Sequence, residues 1–152
     1  MSAPLETILH VEDRDEDVFL LRYAFKEAEI ANPLHVAADG HQAIEYLSGV
    51  GQFSDRTRFP LPCIVILDLK LPYKMGLEVL EWIRLQPSLR KLIVIVLSSS
   101  IHEGDIERAY DLGVNAFLVK PSNIETMTKM SRALKDFWLT YNKPPHVPWT
   151  MT

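Results

Sequence analysis

The chain has 152 residues, is 47% hydrophobic and 24% charged, and carries a formal net charge of −4. This length fits one domain, because splitting it would leave two marginal cores. The mildly acidic balance and the lack of any long basic run give no electrostatic reason to expect a nucleic-acid groove or a charged membrane patch.

The opening residues, 1–6, have no basic segment followed by an apolar stretch, so no signal peptide is expected. Thr7-Ile8-Leu9-His10-Val11 then predicts a first strand. Residues 15–29 place Val18, Leu21, Phe25 and Ala28 at helical spacing behind an acidic start that the helix dipole favours. Leu34–Ala37 predicts a short second strand. Asp39-Gly40 is a turn, and Ala43, Ile44 and Leu47 make the stripe of a second helix. Residues 49–62 form a long loop in an otherwise tight chain, a place where function often sits.

Cys63–Leu67 is apolar throughout and β-branched, as a strand covered on both faces should be. Cys63, the single cysteine, is expected to be a buried small hydrophobe; one thiol builds neither a disulfide framework nor a zinc site. Gly76–Leu85 follows as a helix, Leu92–Leu97 as another doubly buried strand, and His102–Leu112 as a helix stopped by Gly113. Ala116–Val119 is the fifth strand. Asn123–Tyr141 is the last helix, with Ile124, Met127, Met130, Leu134, Phe137 and Tyr141 on one side. The tail 142–152 holds Pro144, Pro145 and Pro148 and cannot be helical. The apolar runs 63–67 and 92–97 are too short to span a bilayer, so a soluble, cytoplasmic protein is expected.

Strands alternating with helices argue for a five-stranded parallel sheet covered on both faces, with ligands at the carboxyl ends of the strands. The residues at those ends have a coherent chemistry. Glu12 and Asp13 follow the first strand, Asp68 the third, Ser98-Ser99-Ser100 the fourth and Lys120-Pro121 the fifth. Clustered carboxylates repel one another unless a cation is present, and a hard divalent ion such as Mg2+ takes oxygen ligands of this kind. An Asp can act as a nucleophile toward phosphorus, a lysine can meet the phosphoryl oxygens, and a serine hydroxyl can donate to the group once it has arrived. Each residue alone has an ordinary explanation as a cap, a turn or a solvated helix start. Their conjunction, each at the end of a different strand, favours function.

Four segments carry a resemblance: Val11-Glu12-Asp13, Ile66-Leu67-Asp68-Leu69-Lys70-Leu71-Pro72 with Gly76, Val96-Leu97-Ser98-Ser99-Ser100, and Val119-Lys120-Pro121. In this order and spacing they resemble the receiver domains of two-component response regulators over residues 7–141. The resemblance implies a flavodoxin-like, doubly wound (βα)5 fold in one domain over 1–152, with core 7–141. It implies Asp68 as phosphoacceptor, Asp13 and Glu12 as Mg2+ ligands, and the Lys70 backbone carbonyl as a further ligand. It also implies Lys120 at the phosphoryl group through a cis bond to Pro121, Ser98 as switch hydroxyl, and Phe117 as the aromatic that follows it. Lys70, Ser99 and Ser100 would tune how long the group stays. A sensor histidine kinase would be the donor.

The long loop before the third strand, the serine-rich end of the fourth and the pair Phe137-Trp138 are similar to stand-alone receivers that serve bacterial phytochromes. That likeness implies a phytochrome-type kinase and a homodimer through the last helix. Adjacent helical residues point ~100° apart, so Phe137 and Trp138 cannot both face the core. No output domain follows in the sequence, so output by protein contact or phosphorelay is expected.

Other features weigh against rival readings. An aspartate-based phosphohydrolase wants a second Asp two residues after the nucleophile, where Lys70 stands. A flavin-binding or pseudo-receiver module wants a phosphate-cradling loop after the first strand, where acids stand. His10 is expected to be a satisfied core histidine that could still tune the carboxylates. The remaining histidines, His35, His41, His102 and His146, share no metal-like spacing.

Overall fold

The computed structural model describes residues 5–147. Its elements are β1 (Ile8–Val11), α1 (Asp15–Glu27), β2 (Leu34–Ala37), α2 (Gly40–Ser48), β3 (Ile64–Leu67), α3 (Gly76–Leu85), β4 (Ile93–Ser98), α4 (Glu103–Asp111), β5 (Ala116–Val119) and α5 (Ile124–Leu134). A π-helical turn, Lys135–Tyr141, continues α5. The strands form one parallel sheet in the order β2-β1-β3-β4-β5. This is the flavodoxin-like, doubly wound arrangement, with the order reversing between β1 and β3.

The central strands are aliphatic on both sides because both sides are covered. Leu9, Val65, Leu67, Val94 and Val96 join the core with α2 and α3. Ile8, Ile64, Ile66, Ile93 and Ile95 pack with α1 and α5 on the other face. Gly76 opens α3 where no side chain fits: an added Cβ would run into the Asp68 carbonyl and lie 2.7 Å from Leu69 Cα. The third helix is thereby drawn tight under the end of β3.

The loop 49–62 is ordered by its own contacts. Arg56 donates to the carbonyls of Tyr46, Leu47 and Phe59, closing the free carbonyl end of α2. Phe59 meets Tyr46 and Phe53 edge to face, and Tyr46 and Phe53 pack at a tilt of 47°. Two expectations need correction here. Cys63 is half-buried rather than buried, because it stands just before β3 and borders a cleft. Burial and the nearby Glu6 charge still push its thiol up to about 12, so it is not a reactive thiolate. Phe137 and Tyr141 do not share the buried side of α5; they are 56% and 77% exposed. The wider π turns carry the buried face one position on, so Trp138 and Leu139 pack on the core instead. Residues 142–147 are non-helical, as their prolines require, and Val147 folds back onto the core. Pro148, also part of the expected tail, lies outside the described residues.

Candidate functional site

Val11 and Leu67 are register partners on neighbouring strands, so the residues after them, Glu12 and Asp68, emerge side by side at the switch in strand order. Both are buried, at 1% and 5% exposure, while Asp13 is exposed. One carboxylate oxygen from each of Glu12, Asp13 and Asp68 lies within 4.8 Å of the others. Lys120 follows β5, where its backbone N–H bonds the Ser98 carbonyl at 2.9 Å. Its side chain reaches back across the sheet end. Nζ lies 2.6 Å from Glu12 Oε1, 2.9 Å from Asp17 Oδ2 and 3.2 Å from Asp68 Oδ2.

Asp17 is the member of this cluster that the sequence reading missed. An acid in the first turn of a helix is fully explained by the dipole. The only signal was its place four residues after Asp13, one helical turn on.

The electrostatics follow from burying several acids around one cation. Burial raises Glu12 to about 7 against the Lys120 hydrogen bond, and the Asp68 charge pushes the same way. Burial opposes the charge on Lys120, but hydrogen bonds to Glu12 and Asp17 outweigh it and hold the ammonium above its ordinary value. Hard oxygen donors, mutually repelling carboxylates and a buried acid that resists ionisation all suit a hard divalent cation.

The pocket around these groups measures about 480 Å3 and is lined by Asp13, Arg14, Asp17, Asp68, Lys70, Ser99, Lys120, Pro121 and Ser122. Ser98 does not line it. That hydroxyl is buried and accepts the Ser100 N–H at 3.1 Å. Ser100 donates its own hydroxyl to Asp105 at 2.8 Å, tying the end of β4 to α4. Phe117 is half-buried against the core, on the strand paired with β4. A larger cleft of about 650 Å3, lined by Thr7, His35, Pro60, Cys63 and Val147, lies at the opposite, amino ends of the strands. Among the described residues the acid cluster lies in the smaller pocket, and the chemistry belongs there.

Two more expectations are corrected. The Lys120–Pro121 bond is trans, the intrinsically preferred isomer, and Lys120 reaches the acids from it. His10 is buried but not satisfied: among the described residues its Nδ1 has no hydrogen-bond partner, because the strands beside it present aliphatic side chains. Phe137 and Trp138 touch edge to face with ring centroids 4.8 Å apart, the first exposed and the second half-buried, as the helix geometry required. Neither lines the acid pocket.

A doubly wound sheet that gathers acids and one lysine at its strand-order switch defines a receiver-type α/β domain. The chain belongs to the response regulator receiver domain family, whose model matches residues 8–132. Response regulator Rcp1 of Synechocystis is 36% identical over 138 residues, covering 91% of this chain and 92% of that protein. The Mn(2+)-bound form of Rcp1 has a TM-score of 0.83 at 35% identity, covering 93% and 99% of the two chains. Response regulator RPA3017, in red light signaling of R. palustris, has a TM-score of 0.89 at 39% identity, covering 93% and 99%. The phosphorylated cyanobacterial phytochrome response regulator RcpA has a TM-score of 0.85 at 33% identity, with the same coverage. Among the described residues, no helix is long and apolar enough to cross a membrane.

Proposed function

We propose that this chain is a phosphoacceptor in a two-component relay, taking a phosphoryl group from a histidine kinase onto Asp68. The observation that carries the reading is Lys120 Nζ held 3.2 Å from Asp68 Oδ2 beside an acid cluster fit for a divalent cation. A carboxylate oxygen of Asp68 attacks phosphorus, the P–N bond of a phosphohistidine breaks, and the imidazole leaves. Lys120 meets the charge that develops on the phosphoryl oxygens. Mg2+ at Glu12, Asp13, Asp68 and the Lys70 carbonyl, when bound, supplies Lewis-acid neutralisation of the same oxygens. Catalysis by the chain ends there: it assists transfer to and from its own aspartate and turns over no separate substrate.

Ser98 and Phe117 carry the readout. The Ser98 hydroxyl is engaged by the Ser100 N–H, so turning toward a phosphorylated Asp68 would release the β4–α4 connection that Ser100 fastens to Asp105. Phe117, on the adjacent strand, follows into the space left. Ser99 and Lys70 line the pocket and govern water access. The likeness to phytochrome response regulators supports a phytochrome-type kinase as donor and a cytoplasmic location. Phe137 and Trp138 would be the homodimer face.

The test is incubation of the purified chain with Mg2+ and a small phosphodonor, read by intact mass. One added phosphoryl group on wild type and none on Asp68→Asn is expected. An unlabelled wild type, or equal labelling of the variant, would end the proposal.

A further inference from the structure

An ammonium has three N–H donors, and the Lys120 ammonium meets three carboxylates from three places in the chain. Glu12 follows β1, Asp17 stands in the first turn of α1, and Asp68 follows β3. Glu12 and Asp68 also belong to the trio of acids that can hold a cation, and Asp17 does not. Oxygens that coordinate a divalent ion lend their charge to it and become weaker acceptors. An Asp68 oxygen bonded to phosphorus loses its charge as well. Among the three acids that Lys120 meets in the described residues, Asp17 is therefore the anchor that keeps full strength while the site is in use.

The local structure suits this task. Leu21, Ala24 and Phe25 bury the inner face of α1 and anchor the helix on the sheet. The Asp17 side chain is 27% exposed and lines the acid pocket, with Arg14 Nε at 3.7 Å on its outer side. Lysine needs such a partner. Its stem is long and flexible, and a point charge on it fixes no orientation of its own.

We infer that Asp17 is a positioning residue, whose hydrogen bond to Lys120 Nζ keeps the ammonium aimed at Asp68 while the phosphoryl group is taken up. The inference rests on the phosphoacceptor role proposed for Asp68. The Asp68 contact is the longest of the three, and it is the one that yields to a phosphoryl oxygen. Glu12 and Asp17 then hold the remaining two donors.

The experiment compares the full chain with Asp17→Ala, Asp17→Asn and Asp13→Asn, using phosphoramidate as donor and Mn2+ alone as metal probe. In Asp17→Ala the maximal labelling rate should fall about tenfold, as for other residues that orient a catalytic group, with the half-saturating donor concentration unchanged. Asp17→Asn keeps an acceptor oxygen in the same place and should recover part of the rate. Mn2+ affinity, followed by electron paramagnetic resonance, should stay within about twofold of wild type in both, and fall much further in Asp13→Asn. The 15Nζ resonance of Lys120 should lose its protection from solvent exchange in Asp17→Ala. A labelled wild type with wild-type rates in both Asp17 variants would overturn this inference alone. So would a loss of Mn2+ affinity as large as that of Asp13→Asn, which would make Asp17 a metal ligand. An unlabelled wild type would overturn the phosphoacceptor reading and this inference with it.

Discussion

In the middle of β1, paired with Val36 and Ile66, His10 brings a polar ring into a layer of aliphatic side chains. Its Nδ1 is buried from water and finds no partner among the described residues, which costs about 1–3 kcal/mol for a group of this kind. Burial first, then the charges of Lys120 and Arg22, depress its pKa from 6.5 to about 3, against the pull of Asp17. Between those two values the unfolded chain holds a proton that the folded chain refuses. Stability therefore falls as pH drops through this window, by up to about 1.4 kcal/mol per pH unit, and is unaffected by this group above it. His10→Val should raise stability at neutral pH by about 1 kcal/mol, since the strand keeps a β-branched residue and loses the orphaned nitrogen. The advantage should widen below pH 6.5, where protonation of the unfolded histidine begins. Urea unfolding at a series of pH values checks this; a gain that does not change with pH would assign the effect to packing alone.

The elements were largely legible because periodicity and punctuation agree. Unbroken β-branched runs can only be strands covered on both faces, and Gly113 follows the α4 turn with φ +91°, where a side chain would strain. Strand ends then placed Glu12, Asp13, Asp68 and Lys120 together, since each stands within two residues of the carboxyl end of a strand. What periodicity could not show is how two elements meet. The Asp17–Lys120 bond joins residues more than a hundred positions apart, and the missing partner of His10 depends on what neighbouring strands present. The end of α5 is the plainest case. A strict ~3.6-residue repeat assigns Phe137 and Tyr141 to the buried side, but the shift to π winding is a local choice that lets Trp138 and Leu139 pack. This gives opposite expectations for the aromatic pair. Trp138→Ala should cost about 2 kcal/mol in thermal or urea unfolding, since a half-buried ring is lost from the core. Phe137→Ala should cost less than about 0.5 kcal/mol, as surface substitutions do. If Phe137 serves a homodimer, its removal should instead lower the sedimentation coefficient at high concentration. A large loss of monomer stability in Phe137→Ala would contradict the exposed placement.

Across the whole molecule the formal charge is only −4, yet Glu12, Asp13, Asp17 and Asp68 converge on one end of one sheet with Lys120 as their shared cation. The fold accepts buried, crowded acids there that a stability-optimised sheet would avoid, and Glu12 bears much of the cost, through burial first and the Asp68 charge second. Its pKa is raised from 4.5 to about 7, so across that range the folded chain holds a proton that the unfolded chain has released. Stability from this group therefore falls as pH rises from 4.5 to about 7, the reverse of the His10 dependence. A divalent cation reverses the penalty by binding the ionised form. At about tenfold over its dissociation constant, Mg2+ should add roughly 1.4 kcal/mol, or a rise of about 3–6 °C in melting temperature for a domain of this size. Because the metal competes with the Glu12 proton, the rise should be larger at about pH 8 than at about pH 5.5. Asp13→Asn should flatten it at both values, since it removes an acid of the metal-competent trio and leaves the Lys120 contacts in place. Differential scanning calorimetry with and without millimolar Mg2+ measures all four conditions. A shift independent of pH would mean that the ion binds without displacing a proton, and that Glu12 is not the buried acid whose ionisation the metal stabilises.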